Sequence, residues 1–350
     1  MDRRVFLRFG AGMVLAGNRL AVGAASLPPE LPVGKIVTVL GPISPADMGE
    51  TLPHEHILVD FIGADQVSRS RYNADEVFKT VLPYLQRVKN AECRTLVECT
   101  PDYLGRDAAL LKRLSEASGM QLLTNTGYYG AAGDKYVPAH AYTESAEPLA
   151  ARWIREWKEG IEDTGIRPGF IKIGVDNGPL SAIDRKLVQA AAIAHRGTGL
   201  TIAAHTGDSK AALEELSVLK EEGVHPGAWI WVHAQNEGSS TVHARVAEQG
   251  AWVEFDGINP SSIRQYVNFL SAMKNRGFLD HVLISQDAGW YHVGEPRGGS
   301  FTPYETLFTQ FLPALKDAGF TDAELRRLIV DNPREAFTVR VRTLSGIKNH

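Results

Sequence analysis

The sequence predicts an α/β protein of the (β/α)8, or TIM barrel, class, with an N-terminal β-hairpin cap and a C-terminal helix. Eight short apolar runs alternate with longer segments whose apolar residues recur at helical spacing, over about 300 of the 350 residues. No glycine-rich phosphate loop follows the first apolar run. Its absence disfavours the main alternative, a doubly wound open sheet.

The elements can be predicted in chain order. After a proline-rich linker, residues 35–39 and the turn around Pro42 predict the two strands of the cap. Apolar runs of strand length predict the barrel strands at 52–60, 95–99, 121–124, 169–174, 201–204, 229–232, 252–255 and 282–285. Helical spacing predicts helices at 75–91, 106–117, 180–194, 209–221, 240–248 and 263–275. Residues 322–330 predict a terminal helix that stops at Asn332-Pro333.

Residues 1–27 are predicted to be a twin-arginine signal peptide with a linker, and residues 34–342 the barrel domain. The pair Arg3-Arg4 precedes a run rich in glycine and alanine, which ends near Ala25 in an A-x-A-like cleavage site. The polar pair Asn18-Arg19 interrupts this run and leaves an ordinary N-terminal extension as the alternative. We therefore expect a periplasmic or secreted protein, and otherwise a cytoplasmic one.

Composition excludes several classes of function. The formal net charge is −4, and removal of the arginine-containing leader makes the chain more acidic, so nucleic acid is not an expected partner. Two cysteines, Cys93 and Cys99, cannot form a disulfide framework in a chain of this length. Beyond the leader no apolar run reaches about 18 residues, so no membrane span is expected.

Polar residues of metal-ligand type follow the predicted barrel strands. Catalytic groups of barrel enzymes lie at the carboxyl ends of the strands. The residues found there are His54 and His56 on the first strand, Lys172 on the fourth, His205 and His233 after the fifth and sixth, and Asp287 after the eighth. Side chains two apart on a strand share a face, so the first pair can hold one ion, and the later pair a second. Asp287 adds an anionic oxygen.

Lys172 is a cation within an apolar strand, and burying it unpaired is costly. An ammonium group has only donors and cannot bind metal. A desolvated lysine has a lowered pKa, however, and its neutral amine can add CO₂ to give a carbamate with two oxygens for two cations. The alternative is a lysine whose ammonium reaches solvent or an inner carboxylate.

Most other histidines are interpreted as surface or structural residues. They are His140, His195, His225, His243, His281 and His350. The inference therefore depends on the set of residues at the strand ends, because a single histidine carries little information.

These residues lie in motifs that resemble those of the phosphotriesterase-like family of the amidohydrolase superfamily. The motifs are GETLPHEH at 49–56, TLVECTP at 95–101, GRD at 105–107, TGYY at 126–129, GFIK at 169–172, HT at 205–206, VH at 232–233, FD at 255–256, SQD at 285–287 and DNP at 331–333. The resemblance runs from about residue 37 to about residue 337, and the motifs occur in the family's order.

The resemblance implies two divalent metal ions, most often Zn²⁺, with Mn²⁺ or Co²⁺ as alternatives. It places His54, His56 and Asp287 on the buried ion, and His205 and His233 on the exposed ion, with carboxylated Lys172 and a hydroxide bridging both. A hydroxide acidified by two cations attacks the substrate, and Asp287 is the catalytic residue that accepts its proton. It also implies a possible homodimer.

The sequence departs from the phosphotriester-cleaving members of that family. A histidine and a carboxylate that relay the proton there correspond to Gly257 and Asn236 here. We therefore expect a small-molecule lactone or other ester as substrate, because ring opening lets Asp287 return the proton directly to the alkoxide.

Four residues are candidates for substrate contact. Trp290 and Arg297 lie in a long loop after the last strand, where Arg297 can grip a carboxylate or phosphate or remain a solvated loop residue. Tyr128 and Tyr103 follow the third and second strands, where they wall the pocket or pack the barrel rim.

Three other functions stay open on the sequence. The first is a phosphotriester or phosphorylated sugar-lactone hydrolase. The second is amide cleavage or deamination at a single metal, which the presence of Lys172 disfavours. The third is a catalytically inactive periplasmic metal-binding protein, since both relay groups are missing.

Overall fold

The computed structural model describes residues 31–348, and the side chains of residues 31–345. The predicted signal peptide at 1–27 and His350 lie outside the described residues, so export remains a prediction. Residues 32–348 belong to one compact unit.

Parallel strands form the centre of the protein. The strands are β1 (Ile36–Thr38), β2 (Gly41–Ile43), β3 (Thr51–Val59), β4 (Thr95–Glu98), β5 (Gln121–Leu123), β6 (Asn125–Thr126), β7 (Phe170–Val175), β8 (Ile202–Thr206), β9 (Trp229–Val232), β10 (Trp252–Phe255), β11 (Val282–Ile284), β12 (Gly289–His292), β13 (Val341–Thr343) and β14 (Gly346–Lys348). One parallel sheet has the order β11-β10-β9-β8-β7-β6, and the other has the order β12-β3-β4-β5.

The two sheets join into a closed barrel. On one side β5 and β6 are separated only by Thr124, so a single stretch of chain belongs to both sheets. On the other side the chain leaving β11 runs along β3, where Asp287 N donates to His54 O at 3.2 Å and His56 N donates to Ala288 O at 2.9 Å. The barrel prediction is thereby confirmed, with eight strand positions among the described residues.

Helices surround the barrel. They are α1 (Ala74–Asn90), α2 (Ala108–Ser118), α3 (His140–Thr143), α4 (Ala146–Glu159), α5 (Ala182–Thr198), α6 (Ser209–Glu221), α7 (Ser240–Ala247), α8 (Ile263–Asn275), α9 (Leu312–Asp317), α10 (Asp322–Arg326) and α11 (Asn332–Phe337). Wider turns at Leu307–Phe311 and Arg327–Asp331 extend α9 and join α10 to α11. Short 3₁₀ turns lie at Pro45–Asp47, Arg69–Arg71, Pro226–Ala228, Ala234–Asn236, Leu279–His281 and Pro296–Gly298.

Three details differ from the sequence prediction. The terminal helix does not stop at Asn332-Pro333; the wider turn at Arg327–Asp331 leads directly into α11, whose first turn contains Pro333, and the helix continues to Phe337. The loop after β11 contains β12, which pairs in parallel with β3. Helix α4 was not predicted, although its apolar residues Leu149, Trp153 and Trp157 follow helical spacing.

Apolar side chains fill the amino-terminal end of the barrel interior. We call this layer the floor; its buried members are Ile36, Met48, Val97, Cys99, Leu123, Phe170, Ala203, Ile230, Val232, Trp252, Leu283, Ala336 and Phe337. Ile36 comes from the antiparallel β1–β2 hairpin, which supports the predicted cap. Alternate strand residues such as Ile171 and Val253 pack outward against the helices. No helix of the described residues is long and apolar enough to span a membrane.

Candidate metal centre

The first half of the site is formed by the two histidines of β3 and by Asp287. His54 is 1 % exposed and His56 is 4 % exposed. The Nε2 atoms of His54 and His56 lie 3.7 Å and 3.2 Å from Asp287 Oδ1. Their ligand atoms all lie within 4.8 Å of one another, which is close enough to bind one ion.

The other ring nitrogens of these histidines are held from behind. His56 Nδ1 lies 2.8 Å from the hydroxyl of Thr100, and His54 Nδ1 lies 3.1 Å from a carboxylate oxygen of Glu254. Partners of this kind fix the ring orientation and leave Nε2 free for a metal.

Glu55, between the two histidines, positions Asp287. Its carboxylate accepts hydrogen bonds from Ser285 Oγ at 2.7 Å, from Gln286 N at 3.0 Å and from Ala288 N at 2.6 Å. These bonds hold the segment in which Asp287 has a φ of +51°, a conformation that L-residues rarely adopt. The alternation of β3 places Glu55 on the face opposite the histidines, but its partners lie more than 200 residues away in the chain, and its role was not predicted.

The second half of the site is formed by His205 at the end of β8 and His233 after β9. Their rings lie 4.4 Å apart, and the ring of His233 lies 5.1 Å from that of His54. Asp256 accepts hydrogen bonds from both His233 N at 2.9 Å and His233 Nδ1 at 2.7 Å. It fixes His233, whose φ is +63°.

Lys172 lies inside the barrel, among these groups. It is 1 % exposed, its neighbour Phe170 belongs to the floor, and Ile171 and Ile173 pack outward. Its Nζ has no hydrogen-bond partner among the described residues. The lysine therefore has neither the solvent contact nor the close carboxylate that would explain a buried ammonium.

The donor set fits divalent cations. Burial lowers the pKa of His54 to about 3 and lowers that of His56, which keeps both rings neutral and able to donate a lone pair. Burial opposes ionisation of Asp287, but the imidazole rings beside it, that of His56 first, lower its pKa to about 2. Asp287 Oδ1 and Lys172 Nζ are both unpartnered by hydrogen bonds. Neutral imidazoles, an anionic oxygen and two unsatisfied buried atoms form a ligand set for Zn²⁺ or a similar ion.

Comparison with known proteins shows the family. Residues 34–337 match the model of the Phosphotriesterase family. The chain belongs to the phosphotriesterase family. It is 29% identical over 293 residues to a phosphotriesterase homology protein of Escherichia coli K12, covering 83% of this chain and 98% of that protein. It is 28% identical over 311 residues to an aryldialkylphosphatase of Saccharolobus solfataricus, covering 85% and 97% respectively.

Other members of the phosphotriesterase family carry different hydrolase names. An N-acetyltaurine hydrolase of Tetraodon nigroviridis is 24% identical over 353 residues, covering 88% of this chain and 99% of that protein. The structure of an organophosphorus hydrolase from Deinococcus radiodurans superposes with a TM-score of 0.78 and 24% sequence identity, covering 90% of this chain and all of that one. This structural similarity supports the barrel fold, while the family itself is hydrolytic.

Trp290 lies directly against two of the predicted metal ligands of this phosphotriesterase-family protein. Its ring stacks on that of His56 at 3.9 Å, and its Nε1 donates to the backbone oxygen of Asp287 at 2.6 Å. Its φ is +73°, a strained value for a large side chain. Among the predicted substrate residues, Trp290 is thus the one that also contacts the ligands.

Tyr129, adjacent to the predicted Tyr128, is the tyrosine that faces the site. Its ring lies 5.0 Å from that of His205, whereas Tyr128 is buried against Trp153 and places its hydroxyl 3.2 Å from His140 Nε2. The sequence prediction chose Tyr128 because two adjacent tyrosines gave no indication of their direction.

Tyr103 and Arg297 lie away from the ligands. Tyr103 packs against Tyr128 at 5.3 Å, and both line a cavity of about 180 Å³ beside α4. Arg297 is exposed and lines a groove of about 600 Å³ with Arg71, Glu76 and Tyr291 among others. None of the predicted metal ligands lines that groove.

The positions of the missing relay groups are occupied differently. A Cβ at Gly257 would lie 2.3 Å from the hydroxyl oxygen of Tyr266, so that hydroxyl fills the space of a side chain. Asn236 is exposed. Gln235 contacts Asp256 instead, with its Nε2 donating at 2.6 Å.

Four aromatic side chains wall one side of the site. We call them the aromatic arc: Trp290, Phe61, Tyr136 and Tyr129. Successive ring centroids lie 5.8, 6.1 and 5.9 Å apart. The arc connects His56 at one end to His205 at the other.

Proposed function

We propose that this protein is a two-metal hydrolase that opens a lactone or cleaves another carboxylic ester. The observation that carries the proposal is the convergence of His54, His56 and Asp287 in one half of a buried site and of His205 and His233 in the other. The membership of the family, whose relatives carry hydrolase names, supports the reaction type.

The ligands divide between two ions, most simply Zn²⁺. His54, His56 and Asp287 would hold the buried ion, and His205 and His233 the exposed one. Lys172, unpartnered and buried, would join them after its amine adds CO₂ and loses a proton to become a carbamate. When bound, the ions supply an acidified water and a polarised substrate oxygen.

Asp287 moves the proton. Its Oδ1 has no hydrogen bond of its own and its side chain is 26 % exposed, so it faces both the ligands and the open mouth. It accepts the proton of the attacking water and returns it to the leaving oxygen. With Gly257 and Asn236 in place of a relay, this transfer is most direct when the leaving alkoxide stays tethered, as in a lactone.

The aromatic arc favours a neutral, flat or apolar substrate portion. Phe61 is 38 % exposed at the mouth, and Trp290 presents its ring beside it. No member of the arc is charged. Such a surface binds rings and alkyl chains by burial of apolar area, and does not recognise a phosphate group.

A substrate panel tests this proposal. The enzyme, purified and loaded with Zn²⁺, Mn²⁺ or Co²⁺, is assayed on sugar lactones, acyl-homoserine lactones, aryl esters, N-acetyl amides and a phosphotriester. We expect the highest kcat/KM on a lactone or ester. A preference for the amide or phosphotriester would contradict the substrate class, and two bound ions without hydrolysis of any compound would indicate an inactive metal-binding protein.

A further inference from the structure

A buried carboxylate with no part in the proposed reaction lies beside the metal site. Glu254 lies on β10 and is 1 % exposed, between Trp252 in the floor and Asp256 at the mouth. Its Oε1 has no hydrogen-bond partner among the described residues. Burying a carboxylate without full pairing is costly, so the stability of the fold does not explain an acid at this position.

The other oxygen of Glu254 contacts one metal-site histidine. Glu254 Oε2 lies 3.1 Å from His54 Nδ1. A second carboxylate oxygen, from Asp256, lies 3.3 Å from the same nitrogen. Asp256, however, already accepts hydrogen bonds from His233 N, His233 Nδ1 and Gln235 Nε2. Nδ1 of a neutral ring carries at most one proton and so donates one hydrogen bond. Of the two carboxylates, Glu254 is nearer to this nitrogen and accepts fewer hydrogen bonds from other groups.

We propose that Glu254 is a positioning residue for the ion held by His54, His56 and Asp287; this inference rests on the two-metal centre proposed above. By accepting the Nδ1 proton, Glu254 fixes the tautomer in which His54 Nε2 keeps its lone pair. That Nε2 lies 3.7 Å from Asp287 Oδ1, on the side of the buried ion. The carboxylate also makes the imidazole a stronger ligand.

The two carboxylates are shared unequally between the two halves of the site, because Asp256 holds His233 and also lies 3.3 Å from His54 Nδ1. Glu254 supports His54 in one half of the site, and Asp256 supports His233 in the other. Both carboxylates come from one strand segment, two residues apart, on its inward face. Loss of Glu254 should therefore weaken one ion selectively.

The experiment compares ion affinities in Glu254 variants. Glu254→Gln keeps an acceptor oxygen but removes the charge, and Glu254→Leu removes both. The matched control is Glu215→Gln, since Glu215 is a fully buried acid that contacts Thr206 and Trp229 and no metal-site histidine. Each protein is loaded with Zn²⁺, and both dissociation constants are measured by chelator competition with metal analysis.

We expect Glu254→Leu to weaken one of the two ions about 10- to 100-fold. Glu254→Gln should weaken the same ion less, and the other ion should stay within about twofold. Glu215→Gln should change neither. Equal weakening of both ions, or unchanged binding of both, would overturn the inference.

A second measurement separates positioning from a structural role. Unfolding of the metal-free proteins is followed by denaturant titration. We expect metal-free Glu254→Leu to be at least as stable as the wild type, because a buried carboxylate with one unpartnered oxygen has been removed, and Asp256 remains 3.3 Å from His54 Nδ1 as an acceptor. A lower stability of the metal-free variant would instead indicate a structural role.

The number of ions bound by the wild type separates failure of this inference from failure of the two-metal proposal. If the wild type binds two ions and the variant binds them equally well, only this inference fails. If the wild type binds fewer than two, the two-metal proposal fails with it.

Discussion

The floor of the barrel interior and its mouth, the end where the predicted metal ligands lie, are formed by the same strands. They differ in whether their side chains find partners inside the protein. On β7, Phe170 packs in the floor, and Lys172, two residues on, has an unpartnered ammonium nitrogen. On β10, Trp252 packs in the floor, and Glu254 has an unpartnered oxygen. The apolar side chains of the floor pack against one another, whereas the mouth retains buried polar atoms that have no hydrogen-bond partner among the described residues.

Backbone conformation differs in the same way. His233, Asp287 and Trp290 have positive φ values at the mouth, while none of the floor residues does. Strain of this kind is costly and persists at functional sites. The difference indicates that stability resides at the amino-terminal end of the strands and chemistry at the carboxyl end. If that separation holds, substitutions at the two ends should change activity and stability in opposite ways.

Replacing the proton acceptor should abolish activity without loss of stability. Asp287→Asn removes the group that accepts the proton of the attacking water, so we expect kcat/KM to fall by about 10³-fold or more on the best substrate. The free energy of unfolding of the metal-free protein should not fall. Glu295→Gln, an exposed acid in the same loop, is the control. An active Asp287→Asn variant would show that another group is the base.

Truncating the floor should have the opposite effect. Phe170 is fully buried, with its ring 5.5 Å from that of Phe337, so Phe170→Ala should lower the free energy of unfolding by about 3–5 kcal/mol. Activity per folded molecule should stay within about twofold of wild type. Phe61→Ala at the mouth is the comparison, and should raise KM with little change in stability. A large loss of kcat in Phe170→Ala would show that floor and mouth are coupled.

Removing metal should lower stability by a smaller amount. An ion present at 100 times its dissociation constant stabilises the folded state by about 2.7 kcal/mol. Chelation should therefore lower the unfolding midpoint, and hydrogen exchange should increase at residues 285–292 more than in the floor strands. Equal loss of protection in both regions would contradict the separation.

The last expected effect is a pH dependence outside the site, and it is the smallest when taken over a single pH unit. Burial raises the pKa of Glu215 to about 8, although Thr206 and Trp229 donate hydrogen bonds to its carboxylate. The folded protein therefore holds a proton that the unfolded chain releases near its usual pKa of 4.5, and stability falls as pH rises from about 5 to about 8.

Glu215→Gln should flatten this decline by at most about 1.4 kcal/mol per pH unit, measured by urea unfolding across that range. Glu116→Gln, an exposed acid on α2, serves as the control. An unchanged slope in Glu215→Gln would mean that Glu215 is ionised in the fold.

Much of the fold and the ligand set could be predicted from the sequence, because both depend on local pattern. Strand runs such as Trp229–Val232 are apolar on both faces, and ligand-type residues follow them directly. What could not be predicted depends on contacts between distant segments. Strand β12, for example, exists because residues after Asp287 pair with β3.

The missed members of the site have the same origin. Glu55, Asp256 and Glu254 act through segments far away in the chain, and no spacing in the sequence reveals those partners. Tyr129 was missed in favour of Tyr128, since only the local backbone decides which of two adjacent rings faces the ligands. The sequence motifs predicted the ligand candidates, and the structure shows which side chains hold them in place.

Anomalous X-ray diffraction at the zinc edge, on crystals of the metal-loaded protein, tests the central claim most directly. We expect two peaks, one bounded by His54, His56 and Asp287 and one by His205 and His233, with the electron density of Lys172 extended by a carboxyl group between them. A single peak, or Lys172 paired as an ammonium with Glu254, would contradict it.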